Sequence, residues 1–180
     1  MLKIAIVGNI ASGKSTVENF IKAKGYKVYD TDKIAHKILT LNKNVIDEFG
    51  TNERAKLAKI VFSEPEKLKK LEEIIHPLVK KEILSIFENN FNIVFISVPQ
   101  LFEAGFESLF DKIIYVTAEK NIRKNRLIKR NNYTEEEALK RIEAQNEDNK
   151  KEKADFVIEN NSTILELENS IDYILKEILS

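Results

Sequence analysis

The chain contains no cysteine among its 180 residues, and it carries no excess of charge of either sign. Without cysteine it can form neither a disulfide framework nor a catalytic thiolate. Its 29 basic and 29 acidic residues give a formal net charge of zero, so no overall field attracts it to nucleic acid or to an anionic membrane. We therefore expect no nucleic-acid partner.

Long hydrophobic runs are also missing. No stretch approaches the roughly 18 apolar residues of a membrane span, and the apolar run near the N-terminus is too short for the core of a signal peptide. We expect a cytoplasmic protein with no membrane partner. A composition of 43% apolar and 32% charged residues fits one globular domain, 1–180, acting as a monomer or a small homo-oligomer.

The most specific motif lies close to the N-terminus, where residues 8–15 match the pattern G-x-x-x-x-G-K-S. The motif follows an apolar run, 4–7, that predicts a buried strand, and it precedes a stretch, 16–21, with helical character. Glycines let the backbone aim its N–H groups at a phosphate chain, and the helix N-terminus adds about half a positive charge. Lys14 adds a full charge, and Ser15 can ligate Mg²⁺. The predicted nucleotide-binding residues are Gly8, Asn9, Ile10, Ala11, Ser12, Gly13, Lys14, Ser15 and Thr16.

The arrangement of short apolar runs predicts an α/β fold. Segments with helical periodicity lie between the runs, which is typical of βα units with a parallel sheet. Together with the phosphate-binding motif, this pattern predicts a P-loop NTPase fold with a five-stranded parallel sheet flanked by helices. The predicted strands are 3–7, 26–29, 92–98, 112–116 and 156–158. The tail, 162–179, has an apolar stripe suited to packing on the sheet.

The gap between the second and third predicted strands is too long for one crossover helix. We interpret residues 31–91 as a helical insertion that binds the acceptor substrate. The predicted helical stretches within it are 33–41, 45–49, 54–62, 64–75 and 78–87. Pro77 lies near the start of the last stretch, a position that proline tolerates, so His76-Pro77 is expected to mark a helix start.

Phosphoryl transfer to a small acceptor is the chemistry that fits these features best. A GTPase needs the motif N-K-x-D, but residues 42–45 read Asn-Lys-Asn-Val. Motor ATPases usually place an acid at the end of a hydrophobic strand, whereas residues 93–98 are followed by Pro-Gln. A small-molecule kinase has to deprotonate an acceptor hydroxyl and keep water from the γ-phosphate.

Two acids follow the second predicted strand, at the sheet edge where α/β sites form. Asp32 is the candidate that accepts or positions the acceptor proton, and either Asp30 or Asp32 can hold Mg²⁺ through water. The alternative is that one of them only caps the next helix. His36 can face the same cleft, although a lone histidine is more often structural.

The densest basic stretch is 120–130. Arg123, Arg126 and Arg130 recur at i, i+3 and i+7, so one helix face can present them together. Planar guanidinium groups suit the charge of a transferring phosphoryl group, which makes Arg126 and Arg130 the candidates for phosphate contact. The polar stretch that follows predicts a lid over the nucleotide, at about 120–150. The alternative for the basic stretch is that it forms only a solvated helix face.

Several blocks together resemble the dephospho-CoA kinase family, nearly from end to end. Asp-x-Asp-x-Ile-Ala-His, His-Pro-Leu-Val and Pro-x-Leu-Phe-Glu occur in this order and are far more specific than the phosphate motif. The resemblance implies that ATP with Mg²⁺ phosphorylates the ribose 3′-hydroxyl of dephospho-CoA. The matching segments are 8–16, 28–36, 54, 61–62, 76–79, 98–104, 126, 130, 135–138, 141–145, 154–158 and 160–161.

The same resemblance implies roles for individual residues. Asp32 matches the catalytic base, Lys14 and Ser15 match the phosphate and Mg²⁺ contacts, and the insertion holds the acceptor. The implied catalytic residues are Asp32, Lys14, Arg126 and Arg130, the last two in the lid. The implied acceptor contacts are Asp32, His36, Arg54, His76 and Glu103.

Five positions depart from the family pattern. Asn9 and Ala11 replace loop glycines, and both fit only where φ is not positive, unless Asn9 adopts the left-handed conformation. Lys80 and Gln100 stand where the family often has Arg and Leu. Asp148 replaces a common arginine, which weakens the expectation that this segment grips ATP through an arginine.

Two other functions remain as alternatives. Nucleoside monophosphate kinases hold the acceptor phosphate with several arginines, but Arg54 is the only arginine in 31–90. A module that senses ATP without turnover needs neither Asp32 nor a basic lid.

Overall fold

A computed structural model of the chain describes residues 1–145 and 149–179. Within this part, five strands form one parallel sheet in the order β2-β3-β1-β4-β5. The predicted α/β fold with a five-stranded parallel sheet is confirmed. The strands are β1 (Leu2–Gly8), β2 (Lys27–Asp30), β3 (Ile93–Ser97), β4 (Lys112–Thr117) and β5 (Phe156–Glu159).

The central strand β1 is covered on both faces. Its residues 4–7 are at most 2% exposed, which explains why they form an unbroken apolar run rather than an alternating one. In the parallel register, Ile6 is opposite Ser97 of β3 and Val7 is opposite Tyr115 of β4. The carboxyl ends of these three strands therefore meet at one edge, where the phosphate loop, residues 8–15, begins.

Helices that pack on this sheet complete its hydrophobic core. One hydrophobic core cluster combines Ile4 and Phe95 from the sheet with Val17 from α1 and Ile171 from α8. The predicted packing of the C-terminal apolar stripe is confirmed, because Leu167, Ile171, Ile174 and Leu175 of that tail are buried. The helices of this part are α1 (Lys14–Ala23), α6 (Lys120–Asn131), α7 (Glu135–Glu143) and α8 (Ile164–Leu179), with a 3-10 turn at Glu107–Leu109.

The chain divides into two compact units, one containing the sheet and a second formed by Asp30–Phe91. The second unit is helical, and α2, α3 and α4 each pack on α5. Its helices are α2 (Thr31–Leu41), α3 (Lys43–Phe49), α4 (Arg54–Ser63) and α5 (Pro65–Phe87). The predicted helical insertion falls in this unit, and its role in acceptor binding stays a prediction.

The expected helix start at His76-Pro77 is wrong. Pro77 lies inside α5, which runs without a break for 23 residues. Proline removes one backbone hydrogen bond and usually kinks or ends a helix. Here Ile75, Val79 and Ile83 continue one buried stripe at intervals of four residues across the proline. Packing of that stripe on the neighbouring helices outweighs the local preference.

The predicted lid region corresponds to α6, α7 and the segment after them, and the departure at Asp148 lies outside the described residues. No helix in 1–145 or 149–179 combines the length and apolar character needed to cross a membrane.

Candidate active site

The phosphate loop occupies the turn from β1 to α1, and close contacts require two of its glycines. A Cβ atom at Gly8 would lie 2.5 Å from the backbone oxygen of Val116 on β4. One at Gly13 would lie 2.1 Å from Nδ2 of Asn160. Gly13 also has a φ of 94° as the N-cap of α1, a left-handed conformation that favours glycine. Since Gly13 has no side chain to cap the helix, the first N–H groups of α1 can bind an anion.

Lys14 is the first residue of α1, and its ammonium group is bound beside the loop. Nζ donates to Oε1 of Glu18 at 2.7 Å and to Oγ of Ser97 at the end of β3. The Glu18 side chain is only 8% exposed. Helix α1 therefore places an acid beside the loop although β3 ends without one. Two fixed acceptors orient Lys14, whose ammonium group has a third N–H for a phosphate oxygen.

Ala11 adopts the left-handed conformation, with a φ of 59°. The expectation that alanine fits here only without positive φ is wrong. Such a conformation costs a residue with a Cβ atom about 1–2 kcal/mol. Packing opposes this cost, because Ile10 and Ala11 lie against Leu127 of α6 and against Ala138 and Ile142 of α7.

Asn9 fits the loop without a left-handed backbone, since it is absent from the described residues with positive φ. Its side chain is buried, and Oδ1 accepts a hydrogen bond from the hydroxyl of Tyr115 on β4. Its backbone N–H donates to the oxygen of Val116 at 3.3 Å. These bonds attach the start of the loop to β4.

Arg126 of α6 reaches backbone oxygens of the phosphate loop. Its NH1 donates to the oxygens of Ala11 at 3.2 Å and Ser12 at 3.0 Å, while NH2 donates to that of Asn160 at 3.0 Å. Nδ2 of Asn160 donates to the oxygen of Ser12 at 2.8 Å. Burial lowers the pKa of Arg126, but a guanidinium remains protonated in proteins. Both terminal nitrogens of Arg126 are therefore engaged with carbonyl groups.

The three arginines of α6 differ in exposure, and their joint presentation to a phosphate stays a prediction. Arg123 is 2% exposed, because it lies one turn before the buried Leu127 on the same side of the helix. Arg130 is exposed, and its Nε donates to Oδ1 of Asn131 at 2.9 Å.

The two acids after β2 have different local roles. Asp30 is the N-cap of α2, and its Oδ1 accepts from the N–H of Asp32 at 2.9 Å. The capping alternative therefore applies to Asp30. Asp32 lies in the first turn of α2 with an exposed side chain, where the helix dipole favours a carboxylate. Asp32 remains the candidate for the acceptor proton.

The other predicted acceptor contacts are distributed over both units. His36 on α2 and Arg54 at the start of α4 are exposed, and His76 in α5 is half-buried. Glu103 lies in the turns after β3 and forms an ion pair with Lys150. Their contact with an acceptor stays a prediction.

The fit of Mg²⁺ depends on the oxygen donors near the loop. Within the described ranges, no group of three or more His, Cys, Asp or Glu side chains can hold a metal ion. Mg²⁺ commonly shares substrate phosphates with few protein ligands. Ser15, the second residue of α1, is exposed and offers a hydroxyl oxygen. This donor set fits Mg²⁺ that arrives with a nucleotide.

Besides Tyr115, sequence reasoning missed four residues that contact the loop. Glu18 and Ser97 hold Lys14, Asn160 holds Ser12, and Oε1 of Gln145 accepts from the N–H of Ile10 at 2.7 Å. Only Glu18 had a local signal, an opposite charge at i+4 from Lys14. The other three are at least 80 residues distant from their partners in the chain.

Comparisons with known proteins agree with this geometry. The family model described as Dephospho-CoA kinase matches residues 2–166. A dephospho-CoA kinase from Lactobacillus johnsonii is 41% identical over 97% of each chain, and one from Listeria innocua is 42% identical over 89% of each.

Solved structures also resemble this chain over nearly its full length. A protein from Thermus thermophilus has a TM-score of 0.85 and 34% identity, covering 98% of this chain and 97% of its own. A dephospho-CoA kinase from Campylobacter jejuni has a TM-score of 0.72 and 29% identity, covering 98% and 96%. The family match spans most of the chain, and the relatives are matched over nearly their full lengths. The chain therefore belongs to the dephospho-CoA kinase family.

Proposed function

We propose that this chain transfers the γ-phosphoryl group of ATP, bound with Mg²⁺, to the ribose 3′-hydroxyl of dephospho-CoA, giving coenzyme A and ADP. The principal support is a complete phosphate loop, with Lys14 bound between Glu18 and Ser97, in a member of the dephospho-CoA kinase family. Membership of the family supplies the acceptor, and the loop supplies the means of holding the donor.

The loop and the first turn of α1 bind the triphosphate. Backbone N–H groups at the end of the loop and in the first turn of α1 surround the phosphates, and Lys14 neutralises charge on the β- and γ-phosphates. Ser15 would hold Mg²⁺ through its hydroxyl oxygen, and the bound ion would supply positive charge to the transferring phosphoryl group. Asp30 or Asp32 would help to hold the ion through water.

Asp32 accepts the proton of the acceptor hydroxyl as phosphoryl transfer proceeds. The attacking oxygen forms a bond to the γ-phosphorus, the bond to the β–γ bridging oxygen breaks, and ADP leaves. Because Asp30 provides the N-cap of α2, the carboxylate of Asp32 is not needed for that purpose. General base catalysis of this kind typically contributes about 10²- to 10⁴-fold.

The helical unit holds dephospho-CoA, with His36, Arg54 and His76 as acceptor contacts. Glu103 is a further proposed acceptor contact. Arg130, which is exposed on α6, is the lid residue available for phosphate contact. Arg126 belongs to the same helix but already binds loop carbonyl groups. Its contribution to catalysis is therefore by way of the loop.

The acceptor is tested by ADP release with ATP–Mg²⁺ and four candidates: dephospho-CoA, AMP, CMP and a pantetheine derivative. Dephospho-CoA should support turnover, and Asp32→Asn should lower its kcat by at least about 10² while leaving ATP affinity nearly unchanged. Turnover with AMP or CMP but not with dephospho-CoA would contradict the function. Near-normal turnover in Asp32→Asn would remove only the role of Asp32.

A further inference from the structure

The side chains of Arg126 and Asn160 both bind the oxygen of the peptide group between Ser12 and Gly13. The oxygen of Ser12 accepts from NH1 of Arg126 at 3.0 Å and from Nδ2 of Asn160 at 2.8 Å. Arg126 also bonds the backbone oxygen of Asn160, so the two residues support each other. Asn160 is 7% exposed. This is a buried arrangement directed at one peptide group of the phosphate loop.

Because the peptide group is planar, contacts with its C=O also determine the direction of its N–H. The described residues contain no cis peptide bond, and a trans peptide points its C=O and N–H in opposite directions. Fixing the oxygen of Ser12 against Arg126 and Asn160 therefore turns the N–H of Gly13 away from them. In phosphate loops, N–H groups turned in this way bind the phosphate chain.

Because residue 13 is a glycine, side chains from outside the loop are needed to fix the orientation of the Ser12–Gly13 peptide group. Gly13 has a φ of 94°, and a glycine can populate both signs of φ, so the peptide before it can rotate at little cost. A rotated peptide would place the negative end of a C=O dipole where a phosphate has to bind. A cation at the oxygen of Ser12 opposes this rotation and also polarises the peptide, which strengthens its N–H as a donor.

We propose that Arg126 and Asn160 are positioning residues that orient the N–H of Gly13 toward the β-phosphate of the bound nucleotide. Arg126 then acts through the loop backbone instead of contacting the γ-phosphate. The inference rests on the proposed function for the identity of the nucleotide. The orientation of the Ser12–Gly13 peptide, however, can be measured without any nucleotide.

The first test compares the affinity for ADP with that for a non-hydrolysable ATP analogue by calorimetry. Asn160→Asp replaces the donor amide with an acceptor of the same size, and Arg126→Lys keeps the charge but loses the planar fork. Each variant should bind ADP and the ATP analogue more weakly by the same factor, about tenfold or more. Because both act on one carbonyl, the double variant should lose less than the product of the two factors.

Matched controls come from the neighbouring residues. Asn161→Asp keeps an oxygen to accept from the N–H of Glu119, and Lys129→Ala removes an exposed charge from the same helix. Both should bind ADP within about twofold of the unsubstituted chain. A loss of affinity for the ATP analogue alone would mean that the substituted side chain contacts the γ-phosphate directly, and it would overturn the proposal. So would unchanged ADP affinity in folded Asn160→Asp and Arg126→Lys.

The second test uses the nucleotide-free chain with ¹⁵N-labelled glycine. Its five glycines give a simple amide spectrum. The Gly13 resonance should shift or broaden in both variants, while those of Gly25 and Gly50 should not. An unchanged Gly13 resonance would contradict the positioning role. If the unsubstituted chain fails to bind ADP, the proposed function fails, but this spectrum still decides the inference. Asn160→Ser replaces any variant that does not fold.

Discussion

Ala11 is the residue where the conformation of the phosphate loop departs most from what its side chain favours. Its φ of 59° was not predictable from the motif, because the motif leaves this position open to any residue. The compensation comes from α6 and α7, whose apolar side chains surround Ala11. The conformation of a single loop residue therefore depends on contacts with residues more than 100 positions away.

Substitutions at position 11 measure this balance. Glycine releases about 1–2 kcal/mol of strain but loses a methyl contact of about 0.8 kcal/mol, so Ala11→Gly should change the free energy of unfolding by less than about 1 kcal/mol. Ala11→Val adds β-branching to a left-handed residue and should destabilise by at least about 2 kcal/mol. Urea unfolding provides both values. Equal stability of the Val and Gly variants would contradict the left-handed backbone.

Lys14 and Asp30 illustrate what residue-level reasoning achieves. The motif identified Lys14 as a phosphate ligand candidate, and the common capping role of aspartate anticipated the bond from the N–H of Asp32 to Asp30. The partners of Lys14 were not predictable in the same way. Ser97 lies 83 residues away, and only the parallel pairing of β1 with β3 brings it to the loop.

The N-terminus of helix α7 is stabilised by its N-cap residue and by a side chain of its first turn. Thr134 and Glu137 form a reciprocal capping box, in which the backbone N–H of Thr134 donates to the Glu137 carboxylate at 2.8 Å. This hydrogen bond, the Thr134 hydroxyl and the charge of Arg141 lower the pKa of Glu137 below its ordinary 4.5. Because the folded pKa is the lower one, the stabilisation is fully present above about pH 4.5 and is lost as the pH falls through the folded pKa.

The capping box predicts a pH-dependent N-terminus of α7. Carbon-detected NMR should give Glu137 a lower pKa than its ordinary value, and Thr134→Ala should move that pKa upward. Amide protection in the first turn of α7 should fall in acid, and Glu137→Gln should abolish this dependence. Glu136→Gln, the same charge change outside the box, serves as the control. Loss of the dependence in both variants would point to general charge effects instead.

Helix α5 marks the limit of prediction at the scale of elements. Proline and histidine at 76–77 indicated a helix start, yet α5 continues from Pro65 to Phe87. Local propensity favours a break at Pro77, but a buried stripe on both sides of it favours continuity. Such competition is decided by tertiary packing, which a pattern of single residues does not contain.

At the scale of the whole molecule, periodicity and motif order predicted the fold well. The five strands were predicted within two residues at each end, because buried parallel strands appear as short apolar runs between helices. The contacts of Arg126 with Ser12 and Asn160 were not predicted, since they join residues from the first and last thirds of the chain. The sequence therefore identified the components of the donor site but not how they support one another.

The two compact units provide different parts of the proposed reaction. The sheet unit contains the phosphate loop and the residues that hold Lys14. The helical unit contains Asp32 and three predicted acceptor contacts. In the proposed reaction, phosphate moves from a nucleotide bound at the phosphate loop to the hydroxyl group of dephospho-CoA.

The most direct test is to identify the product by mass spectrometry and ³¹P NMR after incubation with ATP, Mg²⁺ and dephospho-CoA. One coenzyme A, phosphorylated at the ribose 3′-position, should form for each ADP released. Lys14→Ala should greatly reduce both products together, because the loop then lacks its cation. Formation of ADP without a phosphorylated acceptor, or a phosphate at another position of dephospho-CoA, would contradict the proposed function.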